Sequence, residues 1–148
     1  MRIHALPADV LERARKLAGT DEFHELRDES PGAPLRCCLR KAGVGEPLVL
    51  FRHTPHAGRG PYAELGPVFI HMLPCDGPDE LHELPEALRH NHRALRAYDA
   101  DGRIHGGGIA QPDELTERIE GMLNDPDVVE VQVRSVSHGC FLFAVTAD

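Results

Sequence analysis

Residues 129–145 constrain the fold more than any other stretch. Val129, Val131 and Val133 alternate with Glu130, Gln132 and Arg134, the period-two pattern of a strand with one buried face. The run Gly139 to Val145, GCFLFAV, is apolar on both faces and reads as a central strand. A chain carrying these two runs side by side must build a sheet around them and cover at least one face.

The remaining segments supply that sheet and its cover. Pro7 and Asp9 mark a helix start, and Val10, Leu11, Ala14, Leu17 and Ala18 form one apolar stripe before Gly19. Thr20 to Pro34 is charged and irregular, the pattern of a surface loop. Leu35 to Lys41 and Pro47 to His53 read as strands, and the short AGVGE connection predicts a hairpin. A long Gly/Pro-rich loop, HTPHAGRGPYAELGP, spans His53 to Pro67, and long loops in small domains often carry function. Val68 to Leu73 is the next expected strand, and Leu81, Leu84 and Leu88 suggest a short helix. Arg93 to Asp99 and Arg103 to Ile109 flank the tight-turn sequence DADG, a second hairpin. A second helix follows Pro112, with Leu115, Ile119, Met122 and Leu123 as its stripe. The expected fold is α+β: a largely antiparallel sheet of about seven strands with two or three helices on one face. One domain spans 1–148, with residues 1–34 as N-terminal helix and surface loop and 35–148 as the sheet core.

Composition narrows the function classes. A net charge of −8 and the absence of a basic stripe argue against a nucleic-acid surface. No apolar run approaches the ~18 residues of a membrane span. The N-terminus, MRIHALPADV, has no continuous apolar block, so no signal peptide is expected. A cytoplasmic location with reduced cysteines follows as the expectation.

Cysteine and histidine gather three times: RCCLR (Cys37, Cys38), HMLPC (His71, Cys75) and SHGC (His138, Cys140). On strand alternation, Cys37 shares a face with Leu35 and Leu39, while Cys38 lies between Arg36 and Arg40. Neighbouring guanidinium groups favour a reactive thiolate, and the same two arginines suit a carboxylate or phosphate. The plain alternative is a small core residue beside arginines that pair with nearby acids. His71 shares a face with Phe69, and the bend at Pro74 lets Cys75 fold back toward it. Zinc takes such ligands, but structural sites usually present close pairs and no C-x-x-C is present. A mixed site would have to draw on Cys38 or Cys37, His71, Cys75 and His138 or Cys140, and no residue is assigned as a metal ligand. His138 and Cys140 lie about 7 Å apart along one strand face, so a Cys–His pair must form across strands. Cys38 with His71 and Cys75 with His138 are the pairings that remain open. HGGG, at His105 to Gly108, has no G-x-S-x-G partner, and its glycines suit a bulge or a close backbone approach.

The segments RCCLRKAGVGE, PYAELGPVFIHMLPC, LRAYDADGRI and VRSVSHGCFLF resemble a family of small bacterial proteins known as a domain of unknown function, number 1203. The resemblance implies a single-domain bacterial protein, and places Tyr62, Glu64, His71 and Cys75 in the family's signature. It implies no activity or cofactor, and the cofactor is left open. The residues themselves favour a small anionic ligand held between the Gly/Pro loop and the sheet. Arg36, Arg40, Tyr62 and Glu64 would bind it, and His71, Cys38 and Cys75 would supply any catalysis. Two other readings stand beside it: an interaction module or homodimer formed through an edge strand, and a Cys/His metal-binding protein.

Overall fold

A computed structural model of the chain describes residues 1–55 and 59–148; His56 to Gly58, within the Gly/Pro loop, lie outside the described residues. Eight strands and two helices follow in the order β1 (Arg2–His4), α1 (Ala8–Leu17), β2 (His24–Arg27), β3 (Leu48–His53), β4 (Gly66–His71), β5 (Arg93–Tyr98), β6 (Ile104–Ala110), α2 (Leu115–Leu123), β7 (Glu130–Ser135) and β8 (Phe141–Thr146). They form two antiparallel sheets, one of five strands ordered β1-β8-β7-β5-β6 and one of three ordered β2-β3-β4.

The fold is thus α+β and antiparallel, but mostly β and divided, rather than one sheet of about seven strands with helices on one face. The division follows from β8. Its residues are buried along almost their whole length, and they feed two cores. Leu142, Phe143 and Val145 join Leu95, Val131 and Val133 beneath α2, whose Leu115 and Ile119 are fully buried. Phe141 and Ala144 join the second core, with Val49, Phe51, Val68 and Ile70 of the three-stranded sheet and Ala14 of α1. A strand apolar on both faces demands cover on both, and one chain of this size meets that with a second small sheet.

Three local expectations change. Leu35 to Lys41 is a closed turn, not a strand: the Leu39 amide donates to Leu35 O at 2.9 Å, and the Leu35 amide to Arg40 O at 2.8 Å. Leu39 takes a left-handed φ of 60° to close it. The AGVGE hairpin therefore does not form, and β3 pairs instead with β2 and β4. The stretch around Leu84 and Leu88 holds turns instead of a helix, because Pro85 interrupts the periodic run and cannot donate a backbone bond. Both leucines still bury their side chains in the first core. The N-terminal segment contributes strands as well as a helix, since β1 pairs with β8 and β2 with β3.

His53 closes the seam between the sheets. Its ring lies 6.4 Å from Phe51 and 6.1 Å from Phe141. Burial, and then the Arg36 charge, hold its pKa below the ordinary 6.5. The unfolded chain takes up this proton near pH 6.5 and the folded chain resists it, so stability falls as pH drops below that value. Denaturant unfolding at pH 7.5 and 5.5 should show a smaller loss in His53→Phe than in the parent chain. An equal loss in both would remove His53 as the cause.

A candidate metal centre of three thiols and one imidazole

The turn at residues 35–40 is docked by its backbone. The Arg36 amide donates to Phe69 O of β4 at 2.9 Å, and Arg36 O accepts from the Leu6 amide at 2.9 Å. Because the chain turns here, Cys37 and Cys38 no longer occupy opposite faces. Both are buried, each 2% exposed, and both face His71 at the end of β4. Their sulfurs lie 3.9 Å apart, and 3.6 and 3.8 Å from His71 Nδ1 respectively. Cys75, beyond the bend at Pro74, completes the group: the three Sγ atoms and one imidazole nitrogen all lie within 4.8 Å of one another.

The surroundings orient the imidazole. His71 Nε2 lies 3.0 Å from Glu46 Oε2, and the Gly43 amide donates to that same oxygen at 2.8 Å. The carboxylate fixes the ring so that Nδ1 points at the sulfurs. The His71 amide donates to Cys37 Sγ at 3.3 Å, and Arg15 Nε of α1 donates to His71 O at 3.0 Å. The pairing of Leu48 with His71 brings Glu46, two residues before β3, alongside the ring.

Three thiols this close cannot ionise independently. The Cys37 thiol donates its hydrogen bond to Cys38, which drops Cys38 to about 5, helped by the Arg40 amide and charge against the opposing effect of burial. Cys37, the donor of that bond and itself desolvated, is pushed far up. Burial raises Cys75, but hydrogen bonds from the Gly77 amide, His71 and Cys37 outweigh it, and the net shift is downward. For His71, burial pulls down while Cys75 and Glu46 raise it, with a net upward shift. The Gly43 amide first, then His71, keep Glu46 below the usual carboxylate range. The cluster therefore holds protons on Cys37 and, more firmly than a free imidazole, on His71, while Cys38 and Cys75 give theirs up more readily.

Of the other expected site residues, Arg40 borders the cluster, while the Arg36 side chain, Tyr62 and Glu64 are held elsewhere. Arg36 is buried, with Nε donating to Phe141 O at 2.8 Å and Nη1 to Pro34 O. Burial pushes its pKa down to about 10, so it stays charged at neutral pH as a tie between the turn and β8. Arg40 donates to Gly77 O at 3.1 Å and to Asp79 at 2.9 Å. Glu64 bridges Arg96 and Arg134, and Tyr62 is half exposed on the same loop. The SHGC pair also lies elsewhere: His138 bonds Ser137, and Cys140 lines a separate cavity with His53 and Arg134. Two of the three Cys/His groups meet in space, and the third does not join them. All four cysteines are free thiols.

Fold and site together define a small α+β domain in which a docked turn and a strand end assemble a three-sulfur, one-nitrogen cluster. The chain belongs to the family described as "Protein of unknown function (DUF1203)", which matches residues 32–147 and so encloses the four cluster residues and Glu46. No curated protein and no solved structure matches the chain. Among the described residues, no helix is long and apolar enough to cross a membrane.

Proposed function

We propose that the chain binds one zinc-class metal ion through Cys37, Cys38, Cys75 and Nδ1 of His71. The observation that carries this reading is the mutual spacing of the donors. Zinc bonds of ~2.3 Å to sulfur and ~2.0 Å to nitrogen, tetrahedrally disposed, set S–S separations of about 3.8 Å and S–N separations of about 3.6 Å. The cluster has 3.9 Å between two sulfurs and 3.6 and 3.8 Å from sulfur to nitrogen. Three sulfurs favour zinc, copper(I) or iron over magnesium or calcium, and four protein donors leave no open position, as in structural zinc sites. Glu46 is the outer-shell carboxylate that such a histidine requires. An ion here would tie the 35–40 turn, the end of β4 and the segment beyond Pro74 into one unit.

The small-anion reading draws no support from the arginines, whose guanidinium groups are held on separate acceptors. Elemental analysis of protein reduced and reconstituted with excess zinc, then dialysed, should give about one equivalent per chain. Glu46→Gln should weaken zinc binding by roughly 10- to 100-fold while leaving the stoichiometry at saturation unchanged. Retention of less than ~0.1 equivalent by the parent chain at micromolar free zinc would sink the proposal.

A further inference from the structure

We propose that Cys38 is the sulfur of this cluster that reacts with small, uncharged hydroperoxides, and that Cys75 resolves it into a disulfide. The inference rests on the metal reading in one respect: coordination keeps the sulfurs as thiolates, the nucleophilic form.

Cavity size and lining, not surface exposure, single out Cys38: it is 2% exposed, whereas Cys75 is the more exposed of the two but opens onto a smaller cleft. A cavity of about 450 Å³ opens onto Cys38, Leu39 and Arg40 on one side and the segment from Pro78 to Arg89 on the other. That volume falls in the range of small-molecule sites. Cys37 does not line it, and neither does Cys75, which faces a separate cleft of about 250 Å³ beside Glu46 and His71. Although Cys38 is almost wholly screened from bulk solvent, the cavity gives a small molecule a route to it.

The walls indicate what enters. Leu39, Leu84, Pro85 and Ala87 supply apolar surface. Arg40 is paired with Asp79, and Arg89 with Glu86. Glu80 and Glu83 are left without a cationic partner among the described residues, so the mouth carries surplus negative charge. An anionic oxidant or an acidic thiol such as glutathione is repelled there, whereas a neutral hydroperoxide with a small apolar tail is not.

Geometry also selects the resolving thiol. Cys37 is nearest in sequence, but consecutive α-carbons lie ~3.8 Å apart, below the usual ~4.4–6.8 Å of a disulfide. Cys75 comes from another segment, with its sulfur within 4.8 Å of Cys38. The Cys38 thiolate attacks the outer peroxide oxygen. An S–O bond forms, the O–O bond breaks, and the alkoxide leaves and takes a proton from water. Cys38 becomes a sulfenic acid, oxidised by two electrons, while the hydroperoxide is reduced to an alcohol. The Cys75 thiolate then attacks that sulfur, and the S–O oxygen departs as hydroxide and is protonated to water. Two thiolates, one hydroperoxide and two protons thus yield one disulfide, one alcohol and one water. The disulfide removes two donors, and the ion is released.

The test uses the reduced, zinc-loaded chain and one equivalent of cumene hydroperoxide, read by disulfide peptide mapping and by a chromogenic zinc chelator. A Cys38–Cys75 crosslink with zinc release in step is expected. Cys75→Ser should accumulate a sulfenic acid on Cys38 that dimedone traps, and Cys38→Ser should consume the hydroperoxide at least ~10-fold more slowly. A Cys37–Cys75 crosslink that leaves Cys38 free, or an unchanged rate in Cys38→Ser, overturns the assignment. Zinc titration of the reduced chain without peroxide tests the metal reading separately. A chain that binds no zinc but forms the Cys38–Cys75 crosslink sinks only the metal. A chain that binds zinc and oxidises at other sulfurs sinks only this assignment.

Discussion

Replacing Cys37 by serine is expected to abolish zinc-dependent stabilisation of the whole chain. Cys37 receives the His71 amide, donates to Cys38 and stands 3.6 Å from the imidazole, so its loss breaks contacts to two other members of the cluster. A ligand that binds only the folded state at ~1,000 times its dissociation constant stabilises by about 4 kcal/mol. For a domain near this size, each kcal/mol moves the melting temperature by roughly 2–4 °C, so the parent chain should melt about 8–16 °C higher with zinc than with a chelator. In Cys37→Ser that difference should fall to within a degree or two. The substitution also disturbs a buried packing site, so the quantity to compare is the zinc-minus-chelator difference, not the absolute midpoint. Cys140→Ser is the matched control, since Cys140 lies outside the cluster. Equal zinc shifts in parent and Cys37→Ser would remove Cys37 from the donor set.

That donor set was only partly legible in the sequence. The bend at Pro74 and the strand ending at His71 brought His71 and Cys75 together as candidates, and Cys38 with His71 stood among the open pairings. Strand alternation, which LRCCLRK satisfies, sets Cys37 on the face opposite Cys38. The same residues close a turn equally well, and it is the bonds from the Leu39 amide to Leu35 O and from the Leu35 amide to Arg40 O, with left-handed Leu39, that make them one. Period-two patterning reports faces on the assumption of a strand, and it has no meaning inside a turn. Glu46 was invisible for a different reason. Its place beside His71 depends on the β3–β4 register, which a connection of twelve residues between His53 and Gly66 does not specify. The arginines flanking the cysteines take different places in the fold. A guanidinium next to a thiol in sequence reads as an anion clamp, but backbone carbonyls claim Arg36 from within the fold.

The fold was clearer where periodicity was long. α1, α2, the DADG hairpin and the β7–β8 pair follow their apolar patterns to within a few residues. The second sheet was hidden because β2, HELR, is short and polar, and its pairing is fixed by its neighbour β3 rather than by its own composition. β8 carried the clue: a strand buried on both faces implies two layers of cover, and the helices alone supply one.

Gly102→Ala should be the most damaging single-methyl addition among the positive-φ glycines. Gly102 ends the DADG turn at φ +75°, where an L side chain is strained, and a Cβ there would stand 2.8 Å from Arg59 O. Gly60, at φ +74°, meets Asp101 O at 2.9 Å in the reciprocal contact. The two backbones are packed directly on one another, which fastens the end of the Gly/Pro loop to the β5–β6 hairpin. Positive φ alone costs a non-glycine residue roughly 1–2 kcal/mol. Moving a backbone carbonyl out of a tight contact adds a further overpacking cost of about 1–3 kcal/mol. Gly19→Ala separates the two contributions, because Gly19 has nearly the same φ, +74°, and nothing within 4 Å of its Cβ position. Denaturant unfolding should therefore give Gly102→Ala a loss of roughly 2–5 kcal/mol and Gly19→Ala only about 1–2 kcal/mol. The zinc-minus-chelator difference should survive in Gly102→Ala, since the contact lies outside the cluster. Equal losses in the two variants would mean that backbone conformation alone demands glycine at 102 and that the loop contact adds nothing.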